Sequence, residues 1–249
     1  MKGAGPVPPR APVSHRPTWL AALPAVLLVL SSGSALAASR TPFQIRCEDD
    51  ISKTVSVLTA QQNGYSIDNS VSYRTLTSMK GGGGPNTYVL GLTKTESQVA
   101  LGSGGPLLED PVSGYECIAP QISVKLYYVP VVIYIGKEFP YGTCAYDEIL
   151  AHEKRHLKTY MDYLPVVERT VRAALTNRFG NKPLYAPGGQ AKRLLVSEID
   201  TGWLPYIKGQ MEQVEVLQAA IDSPQEYARL GKVCNGQIQR ILTQSRRVR

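Results

Sequence analysis

The sequence predicts an α+β protein, with a β-rich N-terminal half followed by long helices. Three observations carry that prediction. Residues 40–142 hold short runs of strand-forming residues between clusters of Gly, Pro, Ser and Asp. From about residue 144 the apolar residues recur at helical spacing. The first helical stretch carries the chain's last two histidines, four residues apart. With 43% hydrophobic and 19% charged residues, the composition excludes a wholly disordered chain, a coiled coil and a collagen. The length of 249 residues suits one domain, or two, with ample chain for a core.

Residues 1–37 are expected to be a signal peptide. Arg10 and Arg16 form a basic leader, and an apolar run from Trp19 to Leu30 follows. Ala35-Leu-Ala37 is a small-x-small cleavage signal. The run is too short to span a bilayer as a helix, and no later segment is long and apolar enough. No stable membrane insertion is therefore expected after cleavage, and the chain should be secreted or periplasmic. Cleavage leaves residues 38–249 as one domain, with a β-rich part at 38–142 and a helical part at 143–249. The leader removes Lys2, Arg10 and Arg16, so the full chain's +7 becomes +4. That charge is too weak to imply an acidic partner, and no interleaved basic and aromatic cluster argues for nucleic acid.

In the β-rich part, Val71–Thr77 is rich in strand formers. Ile122–Tyr128 alternates apolar and polar residues, as a half-buried strand does. It could be the edge along which an extended peptide pairs, or an interior strand. Val131–Ile135 is continuously apolar and fits an interior strand. Gly81–Pro85 fits a hairpin tip or a flap, since it lacks the G-K-[ST] of a phosphate cradle. Residues 102–114 fit a loop.

In the helical part, a first helix is expected from Cys144 to Arg178. Its face runs through Ile149, His152, His156, Tyr160, Tyr163, Val167, Val171 and Ala174. Asp147 and Glu148 suit its N-terminal dipole, Pro165 should kink it, and Gly180 and Pro183 should end it. A second helix is expected from about Gln190 to Ile221, irregular near Gly202, Pro205 and Gly209. Its inner stripe is Ile207, Met211, Val214, Gln218 and Ile221. Ser223-Pro-Gln-Glu226 is a capping box that should open a third helix. Ser245–Arg249 looks like a solvated basic tail.

The chemistry lies in His152-Glu153-Lys154-Arg155-His156, an H-E-x-x-H motif in a helical context. Histidines at i and i+4 stand about 40° apart around a helix and roughly 6 Å apart along it. Both imidazoles can therefore reach one zinc ion. Glu153, one residue on, can reach a water on the metal's open side and take its proton as general base. Lys154 and Arg155 are expected to point outward.

The stretch from Tyr115 to about Leu175 resembles the DUF922 family of predicted secreted zinc-dependent proteases. The likeness is carried by Gly114-Tyr-Glu-Cys117, the strand Ile122–Tyr128, the Phe139-Pro140 turn and the helix Glu148–Tyr160. In such proteins, Cys-bearing strands lead directly into an H-E-x-x-H helix. The resemblance implies a zincin-like fold, a Zn2+ cofactor and an exported peptidase acting on a peptide or protein substrate. It also implies a further histidine near a glycine after the second long helix. The comparable segment here, Lys232-Val-Cys-Asn-Gly236, has none.

The third ligand must then be a carboxylate. Asp162 and Glu168 point away from the ligand face of a straight helix. If the two long helices pack antiparallel from Arg178 and Gln190, Glu212 and Glu215 fall level with the motif. Glu215 lies beside the inner stripe and is the choice. Asp200 comes too early. Glu226 is a separate contender if the third helix is drawn toward the motif. Tyr141, Tyr146 or Tyr227 could donate a hydrogen bond to an oxyanion, although each also fits simple packing.

Four cysteines in an exported chain favour disulfides, and spacing alone cannot choose among three pairings. The pairing expected is Cys47–Cys117, tying the mature N-terminus to the strand entering the site region. Cys144–Cys234 would tie the motif helix to the end of the third helix. The leading functional expectation is an exported zinc metallopeptidase. The alternatives are a non-catalytic envelope protein retaining a structural metal site and a zinc amidase acting on the cell wall.

Overall fold

The computed structural model describes residues 40–51, 53–82 and 87–247. The expected signal peptide lies outside these residues. Residues 40–249 form one compact unit of mixed α and β structure.

The chain begins with α1 (Pro42–Ile51) and β1 (Val55–Gln61), then β2 (Ser66–Asp68) and α2 (Tyr73–Met79). β3 (Gly91–Lys94), β4 (Ser97–Gly104), β5 (Leu107–Asp110) and β6 (Tyr115–Ile118) follow. β7 (Gln121–Tyr128) and β8 (Val132–Ile135) lead into α3 (Cys144–Phe179). After β9 (Leu184–Pro187) come α4 (Ala191–Glu198), a π-helical turn (Ile199–Trp203), α5 (Leu204–Glu212) and α6 (Val214–Ile221). α7 (Pro224–Leu230) and α8 (Val233–Arg247) complete the fold.

Three segments run side by side through two short sheets. β7 lies between parallel β1 and antiparallel β4, and β8 lies between parallel β2 and antiparallel β3. Pro130, which has no N–H to give a ladder, separates β7 from β8. β7 is thus an interior strand, not an edge. Its Ile122, Val124, Leu126 and Tyr128 are buried while Gln121, Ser123 and Lys125 are exposed, as its alternation predicts. β8 is interior too, as expected. β5, β6 and β9 form a separate antiparallel sheet.

α3 carries the fold's organising stripe. Thr143 caps its N-terminus by accepting from the Tyr146 N–H, and Gly180 caps its C-terminus. Its later half, Leu164, Val167, Val171, Leu175 and Phe179, packs with β7 residues and with Leu195, Ile199, Ile207 and Met211 in the larger core. Its first turns, Ala145, Tyr146 and Ile149, join Ile133, Ile135, Phe139, Leu230 and Ile238 in a second core. Cys47–Cys117 and Cys144–Cys234 are the two disulfides. They close loops spanning 70 and 90 residues of sequence. In the chain-entropy picture each contributes roughly 4–5 kcal/mol. Two disulfides fit an extracellular location. Among the described residues no helix is long and apolar enough to cross a membrane.

Several expectations are corrected. Residues 71–77 are not a strand: Ser72 accepts from the Thr75 N–H and nucleates α2, so a local cap overrides strand propensity. Gly81 and Gly82 therefore follow a helix and do not tip a hairpin; residues 83–86 lie outside the described residues. Residues 102–114 include the end of β4 and all of β5. α1 and β9 had no place in the sequence reading. The second long helix is present as α4, the π turn, α5 and α6 in succession, with Gly202 in the π turn and Pro205 in the first turn of α5.

Candidate metal centre

Three side-chain atoms converge where α3 meets the α6–α7 corner. His152 Nε2 and His156 Nε2 are 3.1 Å apart. Asp222 Oδ1 lies 3.2 Å from the first and 3.3 Å from the second. Ligands set about 2.0–2.1 Å from a zinc ion in a tetrahedron stand about 3.3 Å from one another. These atoms therefore form one face of a tetrahedron suited to such an ion. The group His152, His156 and Asp222 could hold a metal ion.

At His156 the surroundings fix which nitrogen carries the proton. Gln218 Nε2 donates to the His156 backbone carbonyl at 3.1 Å, which orients the amide. Its Oε1 then sits 2.6 Å from His156 Nδ1 and accepts that nitrogen's proton. The lone pair of His156 is left on Nε2, toward the site. His152 Nδ1 lies 3.3 Å from Glu226 Oε1 and 2.9 Å from Arg155 Nη2. Glu226 is itself held by Arg155 and by Arg229, whose Nη2 lies at 2.9 Å and which also reaches Glu148 at 2.7 Å. Hydrogen bonds from Arg229, then Arg155 and His152, outweigh burial and hold the Glu226 carboxyl at about 2.

Burial disfavours charge on Asp222, but hydrogen bonds from His152, His156 and Lys80 outweigh it and keep the carboxyl well below the usual range. Burial likewise pushes His156 down. Asp222, the Glu153 charge and Gln218 more than compensate, and its pKa is raised.

Glu153, the expected base, is 3% exposed and lies under β3. Thr93 Oγ1 stands 2.9 Å from Glu153 Oε2. Burial raises the Glu153 pKa against the opposing pull of the two histidines and Thr93. A Cβ on Gly91 would come within 2.7 Å of Glu153 Oε1 and of Ile149 Cγ2, so glycine there lets β3 settle on α3. All of these residues line a 470 Å³ cleft, together with Lys80, Tyr160, Glu215 and Tyr227.

The structure brings Asp222, and not the chosen Glu215, to the two histidines. Glu215 is level with Tyr160, whose hydroxyl donates to it at 3.1 Å, and it lies outside the three-atom group. Gln218 and Asp222 occupy the level of the motif instead. The count from helix ends assumed two helices starting level and rising uniformly. The second run is instead interrupted by the π turn, which takes an extra residue, and again at Gln213 between α5 and α6. Glu226 supports His152 from behind, on Nδ1. Asp162 pairs with Lys158 and Glu168 with Arg172, both away from the site. Arg155, expected to point outward, bends back to Glu226 and His152.

Asp222 was within reach of the sequence, since it lies four residues beyond Gln218 on the same stripe. Of the three tyrosines, Tyr146 is core, Tyr141 is 83% exposed and meets it edge to face, and Tyr227 lines the cleft. Burial and then Asp222 push the Tyr227 hydroxyl up to about 12, so it stays protonated at neutral pH. Comparison with protein-family models, with curated proteins and with solved structures finds no match in any of the three.

Proposed function

We propose that the protein is an exported zinc-dependent metallopeptidase with a zincin-like arrangement, related in kind to the DUF922 proteins its motif resembles. The observation that carries this is the triangle of His152 Nε2, His156 Nε2 and Asp222 Oδ1 at 3.1–3.3 Å, with Glu153 lining the same cleft. Structural zinc sites take four protein ligands, whereas catalytic sites take three and keep one position open. Three converge here among the described residues, and they border a cleft.

A bound zinc ion would supply Lewis acidity and lower the pKa of water. Glu153 would take the proton released as water adds to a carbonyl, with Thr93 fixing the orientation of the carboxylate. The protonated Tyr227 hydroxyl, which hydrogen-bonds Asp222 at the cleft, would have to leave that carboxylate to donate to developing negative charge.

The support for a peptide substrate is β3. Among the described residues it pairs with β8 on one side only. The Gly136 N–H donates to Leu90 O at 2.8 Å, so Leu90, Leu92 and Lys94 are in hydrogen-bonding register with β8. The backbone groups of Gly91 and Thr93 then face away from β8, where an extended chain can pair.

The test is zinc-dependent hydrolysis of a broad peptide library by the parent protein and Glu153→Gln. The variant should keep zinc and lose turnover by a factor on the order of 100 or more. Hydrolysis by the variant at the parent rate would remove Glu153 as base. Activity on cell-wall amides with none on peptides would favour the amidase reading, and zinc binding without hydrolysis the structural one.

A further inference from the structure

The two oxygens of Asp222 have different partners, and the Tyr227 hydroxyl also hydrogen-bonds this carboxylate. Oδ1 faces the two histidine nitrogens at 3.2 and 3.3 Å. Oδ2 is 2.6 Å from Lys80 Nζ. Asp222 itself sits at a corner, as the C-terminal cap of α6 just before the Ser223 cap of α7. Its backbone position is set by two helix ends, but the turn of its carboxylate is not. Lys80 comes from the far side of the cleft, from a fixed base. Its N–H caps α2 by donating to Leu76 O at 3.1 Å, and Gly81 and Gly82 then donate to Ser78 O and Thr77 O at 3.0 and 2.9 Å. Nothing in the sequence pattern marks Lys80, which lies over 140 residues from its partner.

A carboxylate can bind a metal through one oxygen or through both. Both would take the position a catalytic site keeps open. Resting on the metal site proposed above, we infer that Lys80 is a positioning residue that holds Asp222 to ligation through Oδ1 alone and so keeps the fourth metal position free. The ammonium occupies Oδ2, and turning that oxygen onto the metal would break a close ion pair. Lys80 does not compete for the metal position, because it contacts the other oxygen. The substrate-facing geometry of the site thus depends on a residue from the β-rich half of the chain.

Cobalt(II) in place of zinc reads this directly, because four-coordinate cobalt(II) absorbs visible light far more strongly than cobalt(II) of higher coordination number. The parent, Lys80→Met and Lys80→Arg are each titrated with cobalt(II), recording affinity and visible spectrum. The Lys80 side chain is about half exposed, 47%, so the fold should survive, and circular dichroism checks it. The parent should give the intense four-coordinate spectrum. Lys80→Met should bind cobalt at least as tightly with a several-fold weaker band, and Lys80→Arg should restore the parent spectrum. An unchanged band in Lys80→Met, or loss of cobalt affinity in it, overturns the role of Lys80 while leaving the metal site standing. Failure of the parent to bind cobalt overturns the metal site and this inference together.

Discussion

The two halves of α3 use one amphipathic stripe for opposite purposes. From Leu164 to Phe179 the inward positions are Leu, Val, Val, Leu and Phe, and they meet Leu195, Ile199, Ile207 and Met211. From His152 to His156 the inward positions are polar, and they meet Gln218, Asp222 and Glu226. The first arrangement is tolerant, because apolar contacts need only shape and volume. The second is not, because each buried polar atom needs a partner. His152, Glu153 and His156 each have one, at 3.3 Å or closer. The helix thus gives its later turns, like its first ones, to the cores, and the turn from His152 to His156 to a site.

That division can be broken from either side. The largest effect should come from the apolar half. Phe179 is fully buried and packs on Trp203 with ring centroids 5.7 Å apart. Phe179→Ala should cost about 3–5 kcal/mol in denaturant unfolding, with zinc affinity of the folded protein unchanged. A parallel loss of zinc affinity would show that the halves are not separable.

Next comes the polar half. Gln218→Leu keeps the volume but removes the acceptor on His156 Nδ1 and the donor to its carbonyl. Zinc affinity should fall about 10–100-fold, measured by chelator competition, with thermal stability of the metal-free chain changing far less than in Phe179→Ala. Unchanged affinity would mean that Gln218 does not set the His156 tautomer.

The smallest effect is in pH. In the metal-free chain the His156 pKa is raised above its ordinary value. Its contribution to stability is therefore full below about pH 6.5, the unfolded value, and is lost as pH rises through the folded value. Zinc requires the neutral imidazole, so its binding strengthens over the same rise. The gap in Tm between zinc-saturated and metal-free protein should widen with rising pH across that window. A gap that is constant or narrows would contradict the placement of His156 in the site.

Much of this was legible in sequence, for reasons that differ by element. The motif helix declares itself through spacing, and its ends through Asp147 and Glu148 and through Gly180. β7 does so through strict alternation, and α7 through the Ser223 cap, which accepts from the Glu226 N–H. The α2 segment was misread because β-branched Thr75 and Thr77 suggest a strand, while the hydrogen bond that decides the matter comes from one serine. Asp222 was missed because it depends on the relative register of two helices. The second of those helices is interrupted by a π turn and by the break at Gln213, neither of which has a periodic signature. Lys80 could not be read at all, since it and Asp222 meet only through tertiary packing.

The central claim is that His152, His156 and Asp222 hold one metal ion. Its most direct test is the zinc content and affinity of the parent chain beside Asp222→Ala and Glu215→Ala, each checked for native circular dichroism. The account predicts one tightly held zinc in the parent, loss of that zinc in Asp222→Ala, and parent-like binding in Glu215→Ala. A parent chain without bound zinc, or a site that survives loss of Asp222 and fails with loss of Glu215, would contradict it.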